Sequence, residues 1–247
     1  MQDSQRMGDH LQLNLGPYID ALDVKTLTWL HQFVGRDPKL DRALQLGVTN
    51  SGIKFGPFVL AICWLWFDAR PDQQQRREKL VQALSAGCIG LLIGRVLALS
   101  LPFRDRPQFR LDVGLLYPFE SSLRMWSAFP SDHAVMAFAL ATSLVRVSPI
   151  LGLFGILQAA LVISFPRVYF GLHHPSDVIG GGLIGIAVAF AMAWLPPKST
   201  GQRSVINFER TQPAAFYAAG FVVLYLMMTM FDDLRAVANF VFATLRQ

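Results

Sequence analysis

Six long apolar runs, at about Gly52 to Phe67, Leu80 to Leu101, His133 to Val145, Ile150 to Phe165, Val178 to Leu195 and Ala214 to Phe231, constrain this chain more than any other feature. Several approach the ~20 residues that cross a hydrocarbon core as a helix. They lack the alternation of apolar and polar residues that marks the ~10-residue strands of a membrane barrel. An all-α integral membrane bundle of six transmembrane helices is therefore expected. Composition agrees, with 53% hydrophobic and only 16% charged residues, against roughly 25% charged in ordinary soluble domains. The polar connections are too short to hold a second soluble domain, so residues 47–247 read as one membrane domain.

The first 46 residues differ. Ile19, Leu22, Leu27, Leu30, Phe33 and Val34 recur at roughly helical spacing among charged positions, which predicts an amphipathic helix lying in the membrane interface. No basic stretch leads into an apolar core and a small-residue cleavage site, so no cleavable signal peptide is expected. Cys63 and Cys88 sit inside apolar runs, where cysteine behaves as a small hydrophobe. Gly181 and Gly185 form a small-xxx-small pair that predicts close helix packing. The net charge of +5 fits the basic excess of short cytoplasmic connections, and nothing points to nucleic acid.

If the six helices alternate, one side of the membrane carries eight Lys or Arg residues: Arg70, Arg76, Arg77, Lys79, Arg146, Lys198, Arg203 and Arg210. The positive-inside rule makes that side cytoplasmic. The near-neutral tail and three polar clusters then face outward: LPFRDRP ending at Pro107, FPSDH ending at His133, and RVYFGLHHPSD ending at Asp177. Ionisable residues near membrane depth mark functional sites by default. Taken singly they have plain explanations, since arginines at helix ends snorkel, Ser131 or Asp132 suits a helix N-cap, and Pro175 suits a first helical turn. Those explanations suffice for Arg110, Arg124 and Arg146. They do not require His133 and His173, nor three charge clusters on one face. A metal site built from His133, His173, His174, Asp132 and Asp177 is the rival reading. Arg104, Arg106 and Arg167 around the same place favour a bound anion instead, and a phosphate fits best.

Together these residues resemble the type 2 phosphatidic acid phosphatase superfamily of membrane lipid phosphatases, which shares its active-site pattern with vanadium haloperoxidases. That family carries K-x6-R-P, then P-S-G-H, then S-R-x5-H-x3-D. Arg106-Pro107 ends the first part, Pro130-Ser131-Asp132-His133 matches three of four positions in the second, and Arg167, His173 and Asp177 keep the spacings of the third. The resemblance covers about residues 80–195 and implies a phosphatase that needs no metal or cofactor. It implies that His173 is the nucleophile, forming a phosphohistidine, while Asp177 holds its other ring nitrogen and His174 is a spacer. His133 would protonate the leaving oxygen and later activate water. Arg106, Arg167 and Ser131 would hold the phosphoryl oxygens.

Three positions depart from the pattern. Leu99 stands where the family has lysine, and Arg95, one turn earlier, or Arg104 is the expected replacement charge. Pro166 replaces serine. Asp132 replaces glycine in the phosphate cradle, so its carboxylate is expected to turn away, capping a helix or pairing with an arginine, and Asp132→Gly is expected to stay active.

The resemblance implies a lipid phosphate monoester or prenyl diphosphate as substrate, such as undecaprenyl diphosphate, phosphatidylglycerol phosphate, phosphatidic acid or a lipid A phosphate. A lipid phosphotransferase, or a lipid-binding or transport protein with a disabled site, are the alternatives. A haloperoxidase is typically soluble, which the six apolar runs oppose. Only twelve residues separate His133 from Arg146, ~18 Å of helix at 1.5 Å per residue, so the site is expected to be recessed. The segment from Arg110 to Trp126, with Leu115, Leu116, Tyr117 and Phe119, is expected to form its lip.

Overall fold

The computed structural model describes residues 16–110, 126–194 and 200–232, and among them there is no β-strand. The tail forms α1 (Gly16–His31) and α2 (Pro38–Thr49), followed by α3 (Ser51–Phe67), α4 (Gln73–Ser100), a single turn α5 (Pro107–Arg110) and α6 (Asp132–Val145). Next come α7 (Pro149–Leu157), a π-helical segment (Gln158–Ser164) and α8 (Phe165–Tyr169), which run on as one rod, then α9 (Pro175–Trp194), α10 (Thr200–Thr211) and α11 (Pro213–Met228). Each of the six apolar runs is thus mainly helical among the described residues. Among the described residues, three helices are long and apolar enough to cross a membrane, namely α4, the rod Pro149–Tyr169 and α9. Together α2 and α3 make a fourth candidate, bent by 63°. The bend falls at Asn50, whose side chain accepts from the Ile53 N–H (3.0 Å) and starts α3 afresh. α6 and α11 are apolar but shorter.

The tail corrects one expectation. It holds two helices, because Gly35 adopts φ +84° and Asp37 caps α2, with Pro38 at its first position. Within α1, Leu27 and Leu30 are buried with Val168, whereas Leu22 and Trp29 are exposed. The helical spacing read in the sequence therefore merges two faces, one packed on the bundle and one turned outward. Residues 1–15 lie outside the described residues.

α6 occupies the centre, packed by α4, α7 and α9. Its Ala134, Ala137, Ala139 and Ala141 are fully buried, and small side chains let its neighbours approach closely. At Gly185 the approach reaches its limit, since a Cβ there would lie 2.2 Å from the Val135 carbonyl oxygen. This contact sets the middle of α9 on the first turn of α6, and a Cβ at Gly181, which would lie 2.6 Å from the Ser131 carbonyl oxygen, marks the same close approach nearer the helix starts. On the other flank, Pro57 inside α3 has no N–H to give the Ile53 carbonyl. Gln158 of the π segment replaces it, donating to the Ile53 carbonyl (2.6 Å) and to that of Lys54 (3.2 Å).

The basic connections gather at the opposite end from the polar clusters. Arg77 pairs with Glu209 (2.9 Å), Lys79 donates to the Arg146 carbonyl (3.3 Å), and Arg210 donates to Gln74 (3.2 Å). Lys198 lies outside the described residues.

Candidate active site

Three main-chain bonds bring the polar clusters together. The Ala128 N–H donates to Arg104 (2.8 Å), the Gln108 N–H to Gly171 (2.9 Å) and the Ser131 N–H to Asp177 (3.1 Å). Each joins stretches that are far apart in sequence, and all three lie at one end of the bundle.

His173 sits in the middle and is buried. Its Nδ1 lies 2.8 Å from the Ala128 carbonyl oxygen. A carbonyl only accepts, so Nδ1 carries the hydrogen and Nε2 carries a lone pair. Arg106 donates to that Nε2 (3.1 Å) and to the Leu172 carbonyl (2.9 Å). Burial, and then the positive Arg106, hold the His173 pKa below its ordinary value. The result is a neutral imidazole whose nucleophilic nitrogen points at a guanidinium.

Around it lie polar groups without partners. The Nε of Arg106 and the Oγ of Ser131 are buried and make no hydrogen bond among the described residues. Ser131 starts α6, yet its hydroxyl does not cap that helix. Arg167 is buried, and its side chain makes one hydrogen bond among the described residues, to the Ile163 carbonyl (2.6 Å). An unsatisfied buried donor costs about 1–3 kcal/mol. Several at one place are the mark of a ligand that accepts from them, as phosphoryl oxygens do.

His133 is oriented by its own neighbour. Asp132 Oδ1 lies 2.8 Å from His133 Nδ1 and accepts from the His133 main-chain N–H (2.8 Å), while Oδ2 pairs with Arg95 (2.8 Å). The Phe55 ring stacks on the imidazole at 6.3 Å. Asp132 thus turns toward an arginine and a helix-start N–H, as expected from the sequence. It also fixes the tautomer of His133, leaving Nε2 to act, which the sequence reading missed.

Asp177, 0% exposed, departs from expectation. Its Oδ2 accepts from the His174 main-chain N–H (2.7 Å) and lies 3.0 Å from His174 Nδ1, but stands 3.8 Å from His173 Nδ1. The Ala128 carbonyl takes the place that was expected for Asp177. His174 is consequently more than a spacer, because it anchors the carboxylate. The other oxygen of Asp177 pairs with Arg104 (2.5 Å).

Arg104 is fully engaged. It also donates to Ser176 Oγ (2.7 Å), Asp20 (3.0 Å) and Asp23 (2.8 Å), and Asp23 accepts from the Ser176 main-chain N–H (3.0 Å). The tail, which the sequence reading left outside the site, therefore holds it through α1. Among the described residues no three His, Cys, Asp or Glu side chains converge as ligands of a metal ion.

Residues 79–200 match the profile of the PAP2 superfamily. This stretch is a PAP2 domain. Undecaprenyl-diphosphatase BcrC of Bacillus subtilis (strain 168) is 26% identical over 148 residues, covering 60% of this chain and 71% of that protein. Putative undecaprenyl-diphosphatase YbjG of Escherichia coli (strain K12) is 25% identical over 144 residues, covering 58% and 68%. A crystal structure described as the first transmembrane PAP2 type phosphatidylglycerolphosphate phosphatase from Bacillus subtilis superposes with a TM-score of 0.49 at 20% identity, over 74% of this chain and 87% of that one. The PAP2 domain keeps both histidines, the aspartate and two arginines at one place. Its departures are also visible: Leu99 is 73% exposed on the outside of α4, so that position gives the site nothing. Pro166 lies in the rod packed closely on Gly47 of α2, where a Cβ would come within 2.5 Å of the Val162 carbonyl oxygen and 3.3 Å of the Pro166 ring. The anticipated lip from Arg110 to Trp126 lies, between its two end residues, outside the described residues.

Proposed function

We propose that the chain is a metal-independent phosphatase of membrane lipids, with undecaprenyl diphosphate the first substrate to test because BcrC and YbjG carry that activity in their names. One observation carries the chemistry: a buried, neutral His173 with Nδ1 on a carbonyl and Nε2 facing Arg106. In the reaction, Nε2 attacks the terminal phosphorus in line and forms an N–P bond while the bond from that phosphorus to the leaving oxygen breaks, the bridging oxygen of the lipid monophosphate in a prenyl diphosphate or the lipid oxygen in a monoester. His133 enters this step as the imidazolium with Nδ1–H on Asp132; its Nε2 gives that oxygen a proton, then takes one from a water molecule and directs the resulting hydroxide onto the phosphohistidine, breaking the N–P bond and releasing inorganic phosphate. Arg106 and Arg167, with Ser131 and the N–H groups at the start of α6, hold the phosphoryl oxygens and neutralise the charge that grows on them. Asp177 fixes the loop that carries His173, and Asp132 fixes His133.

The site belongs at the outer face of a six-span bundle, with the basic connections at the cytoplasmic end. α6 has 14 residues, ~21 Å at 1.5 Å each, so His133 starts below the surface of a ~30 Å hydrocarbon core. Such depth suits a headgroup that enters sideways while its tails stay in lipid. The outward face of α1, with Tyr18, Leu22 and Trp29 exposed, lies in the interface beside it.

The test is release of inorganic phosphate in detergent, with EDTA present, from undecaprenyl diphosphate, phosphatidylglycerol phosphate and phosphatidic acid. Turnover and inhibition by orthovanadate are expected, since five-coordinate vanadate mimics the transferring phosphoryl group. Activity abolished by EDTA and indifferent to vanadate would refute the mechanism, and no turnover on any lipid phosphate would leave a binding protein.

Asp132→Gly separates positioning from cradle geometry. The glycine restores the family's backbone but frees the His133 ring, so kcat is expected to fall by about tenfold with KM little changed. The melting temperature should drop as well, because Arg95 loses its partner. A glycine variant with unaltered kcat would show that Asp132 does not orient the proton donor.

A further inference from the structure

The site described so far leaves one buried charge without a task. Lys54 is the single charged residue of α3, is 6% exposed, and its ammonium makes no hydrogen bond or ion pair among the described residues. A buried ammonium is costly to keep without a partner, and in an apolar membrane helix it marks function by default.

Its position is fixed on both sides. Gln158 holds the carbonyls of Ile53 and Lys54, which ties this turn of α3 to the rod that ends in Arg167. The next residue, Phe55, stacks on His133. Lys54 thus lies on the turn of α3 that packs against both His133 and the rod. Asp132 is already held by Arg95 and His133. Lys54 and Arg167 are therefore buried cations on two segments that are tied together beside His133, neither paired with a carboxylate among the described residues, an arrangement that an anion between them relieves.

The other candidates for an additional positive charge are accounted for. Arg95 is paired with Asp132, Arg104 with Asp20, Asp23 and Asp177, and position 99 is an outward leucine. We propose that Lys54 is a phosphate-binding residue of this site, delivered by α3, whose ammonium contacts the oxygens of the transferred phosphoryl group together with Arg106 and Arg167. The assignment rests on the phosphatase reading above. It adds a determinant that lies outside residues 79–200 and outside all three motif segments.

The test compares Lys54→Met, which keeps length and removes charge, with Lys54→Arg, which keeps charge. Leu99→Ala, on the outer surface, is the control. In detergent, Lys54→Met is expected to lose about 100-fold in kcat/KM on the lipid phosphate. It should weaken inhibition by orthovanadate and by inorganic phosphate by a similar factor, and melt no lower than wild type without ligand. Lys54→Arg should recover to within about tenfold of wild type, and Leu99→Ala should match it. Wild-type kcat/KM and vanadate inhibition in Lys54→Met would overturn the assignment. So would a loss confined to the lipid substrate, or a lower melting temperature with unaltered vanadate binding. Thermal shift by vanadate separates the two readings: a wild type that binds vanadate but hydrolyses nothing fails as a phosphatase, while the Lys54 variants still report on anion binding. A wild type that does neither overturns both.

Discussion

Alanine at His173 is expected to lower turnover by a factor on the order of 10⁴ or more, because in the proposed mechanism it removes the atom to which phosphorus is transferred. The variant should remain extractable and folded: what it loses structurally is the bond to the Ala128 carbonyl and the contact with Arg106. Rapid quench with 32P-labelled substrate checks the cause, since wild type should trap an acid-labile, base-stable phosphoenzyme that the variant lacks. His174→Ala is the informative comparison. It deletes the Nδ1 contact to Asp177 but keeps the main-chain N–H that holds the same oxygen. One net hydrogen bond is ~1 kcal/mol, so its loss should be less than about tenfold. Equal losses in the two variants would overturn the assignment of His173 as nucleophile.

Arg106→Met carries the second large expectation. The guanidinium faces the nucleophilic nitrogen, its Nε is buried without a partner, and burial lowers its own pKa, so the pocket supplies little to neutralise it except a guest. Arginines that meet a phosphoryl group in transfer are worth about 10³ to 10⁵ in rate. A loss on the order of 10³ in kcat/KM is expected, with vanadate inhibition weakened in parallel. Arg106→Lys should regain only part of it, because a point charge cannot reach the Leu172 carbonyl and the phosphoryl oxygens as a planar fork does. If Arg106→Met lost activity while vanadate still bound as tightly as to wild type, the arginine would be supporting the loop rather than the anion.

Much of this site was legible in the chain. Arg106, Ser131, His133, Arg167, His173 and Asp177 lie in short motifs at fixed spacing, and alternating apolar runs put those motifs at one end. What was hidden depended on contacts that spacing does not encode. The bond from His173 to Ala128 goes to a carbonyl, which every residue has. Asp132 was recognised as a departure and its turn toward an arginine anticipated, but its grip on His133 is a matter of rotamer. Lys54 was not singled out in the sequence, where nothing marks it apart from its charge, and only the fold brings Phe55 against His133. The tail was set apart because its apolar spacing was read as one face; Asp23, on the buried face with Leu27, is what fastens it to Arg104 and Ser176. Pro57 lies inside α3, which continues through it because Gln158 donates to the Ile53 carbonyl that the proline leaves free.

The carbonyl of Ala128 orients His173. Being main chain, it survives every side-chain replacement at its own position, and it is held by the backbone bond from Ala128 to Arg104. The side of the His173 ring that carries the hydrogen is therefore set by the course of the main chain. Asp177 is buried and held by the His174 N–H and Arg104, so its replacement is felt as lost loop architecture rather than as a changed tautomer.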